Sequence, residues 1–256
     1  MLDYDLVVSG GGMKFYYLLG IKKALEEKKI NIKRYSGTSS GSIFIVLIIC
    51  GIDNKILINT YQKLFKMSDY KMNIIDKFLN EVLPENCHII CSNRVFISIT
   101  KIGIPIKNEI ISKFTSKKHL IEKIKISSSF PVFVNSNIFY KYKKDYYIDG
   151  FFTNNTPFFK DKLREQIIIR PFIVKYKNLQ IFDMEPNSNI EYIKLGYFEL
   201  NKFIKGEKVF AIEWYEPNRV KINNVIIKYV KYLLKFKIIN YFIVIILILT
   251  LLKKMN

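Results

Sequence analysis

Residues 36 to 42 are seven small residues in a row, in a chain otherwise rich in Ile, Lys, Phe and Tyr, and among them Gly37, Ser39 and Gly41 have the spacing G-x-S-x-G. A serine at the tip of a sharp strand-to-helix turn takes strained backbone angles and brings neighbouring chains close. Only glycine or a similarly small residue then fits two positions to either side. Such a serine is a candidate nucleophile for acyl transfer, and the amide end of the helix after it faces the negative charge that develops. A tight turn without catalysis explains the same five residues. The pattern therefore needs a base and an oxyanion-binding group beside it.

The usual base of a G-x-S-x-G hydrolase is a histidine placed after the acid in the order Ser, Asp or Glu, His. This chain has His88 and His119 and no histidine beyond them. His88 stands beside Cys87 before an apolar pair, and His119 lies in the lysine-rich "TSKKHL", settings that suit core or surface roles. Asp149 is the alternative. In "YYIDGFFTNNTPF", residues 146–158, it ends a short aromatic β run before a loop rich in asparagine. A carboxylate at a strand end can face an elbow serine and take its proton if burial raises its basicity. Asp149-Gly150 as an ordinary turn is the competing explanation.

The oxyanion group is sought in "SGGGMK", residues 9–14. Consecutive glycines after a strand expose a row of backbone N–H groups at a helix start, which makes an anion cradle. The segment meets neither the Walker A pattern nor G-x-G-x-x-G, because Phe15 stands where the last glycine would be. Gly10, Gly11, Gly12, Met13 and Lys14 are thus candidates for an oxyanion hole. The cluster Cys87, His88, Cys91 lacks a second ligand pair at zinc spacing and is read as structural thiols, so no metal and no cofactor is expected.

These residues need elements to hold them. "YDLVVSG" is a short apolar β run, the glycines form a turn, and Leu18, Ile21 and Leu25 recur at helical spacing. A second strand is expected at about residues 32–35, followed after the small residues by a buried helix in "IFIVLIIC". Further β runs are expected at residues 94–100 and 166–174, with a helix over 117–127. This alternation predicts an α/β layer fold.

The 256 residues are half hydrophobic, enough for a sizeable core and unlike a disordered chain. Three cysteines and an acidic, polar opening without a signal peptide point to a reducing compartment. The formal charge of +19 suits an anionic partner, although an AT-rich coding sequence enriches Lys, Ile, Asn, Tyr and Phe together without any function. Nucleic acid is not expected, since no DNA- or RNA-binding motif appears. The lysines near the end are more informative. Lys221, Asn224, Lys228, Lys231 and Lys235 recur every three or four residues among Val, Ile, Tyr and Leu, implying a basic amphipathic helix. The uncharged run at residues 238–252 follows, closed by Lys253 and Lys254. It reads as a membrane-attaching segment, spanning the bilayer or lying in its interface, with a buried core helix as the competing explanation. The expected division is a catalytic domain over residues 1–215 and a membrane-attaching tail over 216–256.

Taken together, Gly10-Gly11-Gly12-Met13-Lys14, Gly37-Thr38-Ser39-Ser40-Gly41 and Asp149-Gly150, in that order, resemble the patatin-like phospholipases. "ISSSFPVF" and "DGFFTNNTPF" are similar to further segments of that family, and "YIKLGYFELNKF" is a weaker likeness. The resemblance implies a three-layer α/β/α sandwich and a metal-free hydrolase of acyl ester bonds in membrane lipids. It implies Ser39 as nucleophile, Asp149 as base of a Ser-Asp dyad, the amides around Gly11, Gly12 and Met13 as oxyanion hole, and Lys14 as electrostatic support. It also implies a phospholipid or other acyl-lipid substrate, met at an anionic membrane surface with the catalytic domain on its cytoplasmic side. Phe15 departs from the family, where glycine usually follows the basic residue of the loop. A hydrolase of soluble esters using a histidine, and a non-catalytic membrane-anchored binding module, are the alternatives.

Overall fold

The computed structural model describes residues 3–12, 14–65, 71–131, 134, 137–161, 163–174 and 189–215. The chain divides into two units, Met1–Tyr215 and Glu216–Asn256. The second lies outside the described residues, and with it the amphipathic helix and the apolar run expected at 238–252. Among the described residues no helix is long and apolar enough to cross a membrane.

The first unit alternates β1 (Asp3–Val8), α1 (Phe15–Glu27), β2 (Asn31–Thr38), α2 (Ser40–Ile49), α3 (Asn54–Phe65), α4 (Lys71–Val82), α5 (Cys87–Cys91) and β3 (Val95–Ile102). It continues with β4 (Lys107–Ile111), α6 (Lys117–Ser127), β5 (Tyr140–Tyr142), β6 (Asp145–Asp149), α7 (Phe151–Asn154), β7 (Glu165–Ile169), α8 (Asn189–Ile204) and β8 (Ile212–Trp214). β3, β2, β1 and β7 form a parallel centre, and β8 pairs antiparallel with β7. Helix α6 spans the expected residues. Strand β2 is longer than expected, running through the small residues to Thr38. Strand β7 stops at Ile169 because Pro171, which has no N–H to donate, opens a 3-10 turn at Pro171–Ile173.

Strand side chains alternate between two faces, and burial follows that alternation. Leu6, Val8, Ile167 and Ile169 join one large core with the apolar sides of α1 to α6 and α8, while Val7 and Ile168 belong to a second, small cluster with Phe159. Among the described residues this second face is covered by short α7, whose Asn154 O accepts from Thr38 Oγ1 and Ser98 Oγ and whose Thr153 Oγ1 lies 2.7 Å from Thr100 Oγ1, and by the loop after it together with Tyr215. The loop is pinned by its backbone: Gln166 Nε2 donates to Phe159 O at 2.7 Å, and Phe159 N donates to Gln166 Oε1 at 3.0 Å. Arg34 lies over the Phe159 ring at 4.1 Å and bonds both Asp5 and Asp161, so the fully buried Asp5 has a charged partner. The loop carrying Asn154 and Asn155 is anchored in this way.

The sheet has one unusual junction. β3 residues 95–98 pair with β2, residues 97–101 with β4, and residues 99–102 with β6. Because β4 overlaps both of the others, it takes one edge of β3, and β2 and β6 share the opposite edge end to end. They run toward each other. Thr38, the last residue of β2, is opposite Ser98, and Asp149, the last of β6, is opposite Ile99.

Candidate active site

Where β2 and β6 meet, their next residues have little room. Ser39 turns the chain out of β2 with φ 54° and ψ −128°, a strained conformation for a residue with a side chain, and α2 begins at Ser40. The turn is held from both sides. Ser39 N donates to Ser127 Oγ at 2.9 Å, Ser127 Oγ donates to Ser98 O at 2.7 Å, and Ser42 Oγ donates back to Ser39 O at 2.6 Å. Gly41 is where the small-residue requirement is strictest: a Cβ there would lie 2.3 Å from Val8 O, so α2 leaves the turn against the backbone of β1. Gly37 is confined as well, though less tightly, since its Cβ would meet the backbone of Gly41 at 2.8 Å.

The structure brings the second candidate to the first. Ser39 Oγ donates to Asp149 Oδ2 at 2.8 Å, and Phe151 N donates to the other oxygen, Oδ1, at 2.8 Å. Asp149 is fully buried, and burial pushes its carboxyl up to about 7, against the lowering by the Phe151 amide and the Ser39 hydroxyl. The dipeptide is both a turn and a carboxylate facing the serine. Gly150 fits because a Cβ would lie 2.1 Å from Ser98 O and 3.0 Å from Thr38 Cγ2. Thr38 Oγ1 and Ser98 Oγ each donate to Asn154 O at 2.9 Å, and Thr100 Oγ1 donates to Asp149 O at 2.9 Å. The junction is therefore closed by hydroxyls.

The glycine loop lies beside this pair. A Cβ on Gly10 would be 3.1 Å from Ser39 Cβ. The Gly10 amide donates to Asn155 Oδ1 at 2.8 Å and the Gly11 amide to Ser40 Oγ at 2.9 Å. Gly12 has φ 61°, and among the described residues its amide has no hydrogen-bond partner. Met13 lies outside the described residues. Lys14 is buried, which lowers its ammonium to about 8, and its Nζ donates to Val174 O. Phe15, in the place of the usual glycine, is a buried side chain that stacks on Tyr61 at 5.2 Å and meets Phe78 edge-on at 5.7 Å. It ties the loop to α3 and α4.

Neither histidine is in this constellation. His88 Nδ1 faces Glu85 O at 3.2 Å on short α5. His119 accepts from Thr115 N at 3.2 Å in the first turn of α6, and Ser127, which reaches Ser39, is eight residues further along, about 12 Å at the helical rise. Cys87 and Cys91 are buried thiols, with Cys91 Sγ 4.0 Å from Cys50 Sγ. Among the described residues no three His, Cys, Asp or Glu side chains cluster as metal ligands.

Four polar residues of the site had no role in the sequence reading: Ser40, Ser127, Asn154 and Asn155. They lie in or next to segments quoted for the family resemblance, yet their partners are 29 to 145 residues away. Local spacing carries no signal of such contacts.

A family model described as "Patatin-like phospholipase" matches residues 6–160. Omega-hydroxyceramide transacylase of Mus musculus is 28% identical over 173 residues, covering 60% of this chain and 28% of the relative. 1-acylglycerol-3-phosphate O-acyltransferase Pnpla3 of Mus musculus is 24% identical over 184 residues, 66% of this chain and 44% of the relative. Probable lipid hydrolase 463L of Invertebrate iridescent virus 6 is 25% identical over 181 residues, 59% of this chain and 61% of the relative. The matches thus span between 28% and 61% of these relatives' own lengths.

Proposed function

This chain belongs to the patatin-like phospholipase family, and from that premise we propose that it is a serine acyl hydrolase of lipid esters working through a Ser39–Asp149 dyad. The observation that carries the reading is the 2.8 Å hydrogen bond from Ser39 Oγ to a fully buried carboxylate whose basicity burial has raised to about 7. A base is most useful when its pKa lies near the working pH. As Ser39 Oγ bonds to the acyl carbonyl carbon, its proton passes to Asp149 Oδ2 and the carbonyl oxygen becomes an oxyanion. Collapse breaks the ester C–O bond, and the leaving alcohol takes the proton back. Water then repeats both steps on the acyl-enzyme, delivering its proton to Asp149 and releasing the fatty acid.

The oxyanion is assigned to the glycine loop, with the Gly12 amide as donor. Asn155 and Ser40 hold Gly10 and Gly11 so that the loop keeps its curve beside Ser39. Membrane lipid is the proposed substrate class, and we assign to the periodic lysines and the apolar run read from the sequence over residues 221–252 the role of holding the enzyme at an anionic surface, with its catalytic unit on the cytoplasmic face.

Fatty-acid release from mixed phospholipid vesicles, with a chelator present, tests this. The parent is expected to release fatty acid, and Ser39→Ala and Asp149→Asn to lose release by about a thousandfold. Release that survives both changes would end the dyad reading. Acyl transfer is the second reading, since two of the relatives are named as a transacylase and an acyltransferase. Adding an alcohol acceptor to the same assay separates the two by product, ester or free acid.

A further inference from the structure

Two hairpin turns leave the sheet side by side. Lys101 pairs with Lys107 across the base of the β3–β4 turn, and Ile102 pairs with Tyr146, which places the β5–β6 turn next to it. At the apex of the first turn Ile104 is fully exposed, at 106%, with Ile102 and Ile106 partly covered below it, and Tyr146 is 46% exposed beside them. Residues 101–107 and 140–146 hold five lysines, Lys101, Lys107, Lys141, Lys143 and Lys144, against one acid, Asp145, a balance of 5 − 1 = +4. Asp145 is paired with Lys101 at 2.8 Å.

We propose that these two turns form a docking surface for an anionic phospholipid bilayer, with Ile104 entering the headgroup boundary and the lysines around it contacting lipid phosphates. A single exposed isoleucine is ordinary on a protein surface. An isoleucine at a hairpin apex, beside a half-exposed tyrosine and with five lysines on the two turns and their strand ends, has the composition of an interfacial membrane contact. Lysine stems can cover apolar surface while their ammonium groups reach outward, so lysines of both turns can meet phosphates without lifting Ile104 out. Position also favours a bilayer. The Ser39–Asp149 pair sits at the level of Ser98 and Ile99 on β3, and the strand runs on for three residues, about 10 Å, before the turn. Both turns therefore project from the end of β2 at which Ser39 emerges, toward the side from which a lipid ester would come. The surface supplies the interface that the lipid-ester reading of the site requires, and rests on that reading for its purpose.

The test uses the full chain. Tryptophan emission is compared between the parent, whose one tryptophan is Trp214, and Ile104→Trp, each with phosphatidylcholine vesicles holding or lacking phosphatidylglycerol. Cosedimentation measures the bound fraction. On the anionic vesicles Ile104→Trp should shift to the blue and be quenched by lipids brominated on their chains, beyond any change in the parent. Replacing Lys143 and Lys144 with alanine should lower partitioning onto those vesicles about 25-fold, near fivefold for each lysine. The same double variant should hydrolyse a soluble short-chain ester at the parent rate. Vesicle-bound Ile104→Trp with unchanged emission, or a double variant that binds as the parent does, would overturn the proposal. So would binding of single-stranded RNA at the turns without vesicle binding. Repeating the emission measurement in a Ser39→Ala background separates docking from catalysis, because insertion should persist there without turnover, whereas insertion of the parent Ser39 protein without any ester hydrolysis removes the enzyme reading and leaves the surface standing.

Discussion

Thr38 and Asp149 are the last residues of two strands that run head-on along the same edge of β3, opposite the adjacent residues Ser98 and Ile99. Two strand ends cannot stop one residue apart on one edge without their following turns colliding. Ser39 and Gly150 are those turns, and the crowding sets Ser39 Oγ 2.8 Å from Asp149 Oδ2, the proposed dyad. The serine's strained φ of 54° and the hydroxyls of Thr38, Ser98 and Ser127 follow from closing that junction.

Asp149 should cost the protein stability at the pH where it is useful. Burial lifts its carboxyl from 3.8 to about 7. A raised acid keeps its proton in the folded chain where the unfolded chain has lost it, so stability falls as pH climbs from about 4 to about 7 and stays low above that. Asp149→Asn cannot ionise and keeps the shape. It should be more stable than the parent at pH 8 by a few kcal/mol, at ~1.4 kcal/mol per pH unit, and so melt at a higher temperature, with a smaller difference at pH 5. Thermal melts at the two pH values check this; a difference that grows toward pH 5 would contradict it.

Gly150→Ala should be among the most damaging single changes in the molecule. Its Cβ would meet Ser98 O at 2.1 Å, and that oxygen belongs to the sheet centre and cannot give way. A loss of about 3 kcal/mol or more is expected. Gly103→Ala is the control, its nearest contact being 3.6 Å away, and should stay within about 0.5 kcal/mol of the parent. Urea denaturation of the two variants gives the comparison.

The small-residue run, the glycine loop and the three-part order were legible because they are local: a sharp turn against a neighbouring strand demands small residues at fixed spacing. Asp149 was half legible. Its segment reads equally as a turn, and its register with Ile99, 50 residues earlier in the chain, decides the matter. Helices α3 and α4 were not anticipated, although Phe15 marked the departure from the family that they explain, since its ring packs between Tyr61 and Phe78. The covering of the second sheet face was also illegible, because Gln166 holds Phe159 by its backbone and the side-chain pattern of that loop shows nothing of it.

Ser127→Ala should loosen the elbow without touching the dyad. Ser127 Oγ both accepts from Ser39 N and donates to Ser98 O, and its removal leaves a donor and an acceptor without partners in a buried place. A cost of about 1–3 kcal/mol is expected, with kcat lowered about tenfold and KM almost unchanged, because the nucleophile is misplaced by a fraction of an ångström. Restoration by Ser127→Thr would separate the lost hydroxyl from lost packing.

The central claim is that Asp149 makes Ser39 a nucleophile, and the rate at which an activated organophosphonate modifies Ser39 tests it without needing a lipid surface. The adduct is read by mass on the peptide that carries Ser39. In the parent the rate should rise as pH passes through about 7, where Asp149 ionises, and in Asp149→Asn it should be lower by about 100-fold or more and flat across that range. Equal rates in the two proteins, or modification elsewhere than Ser39, would contradict the account.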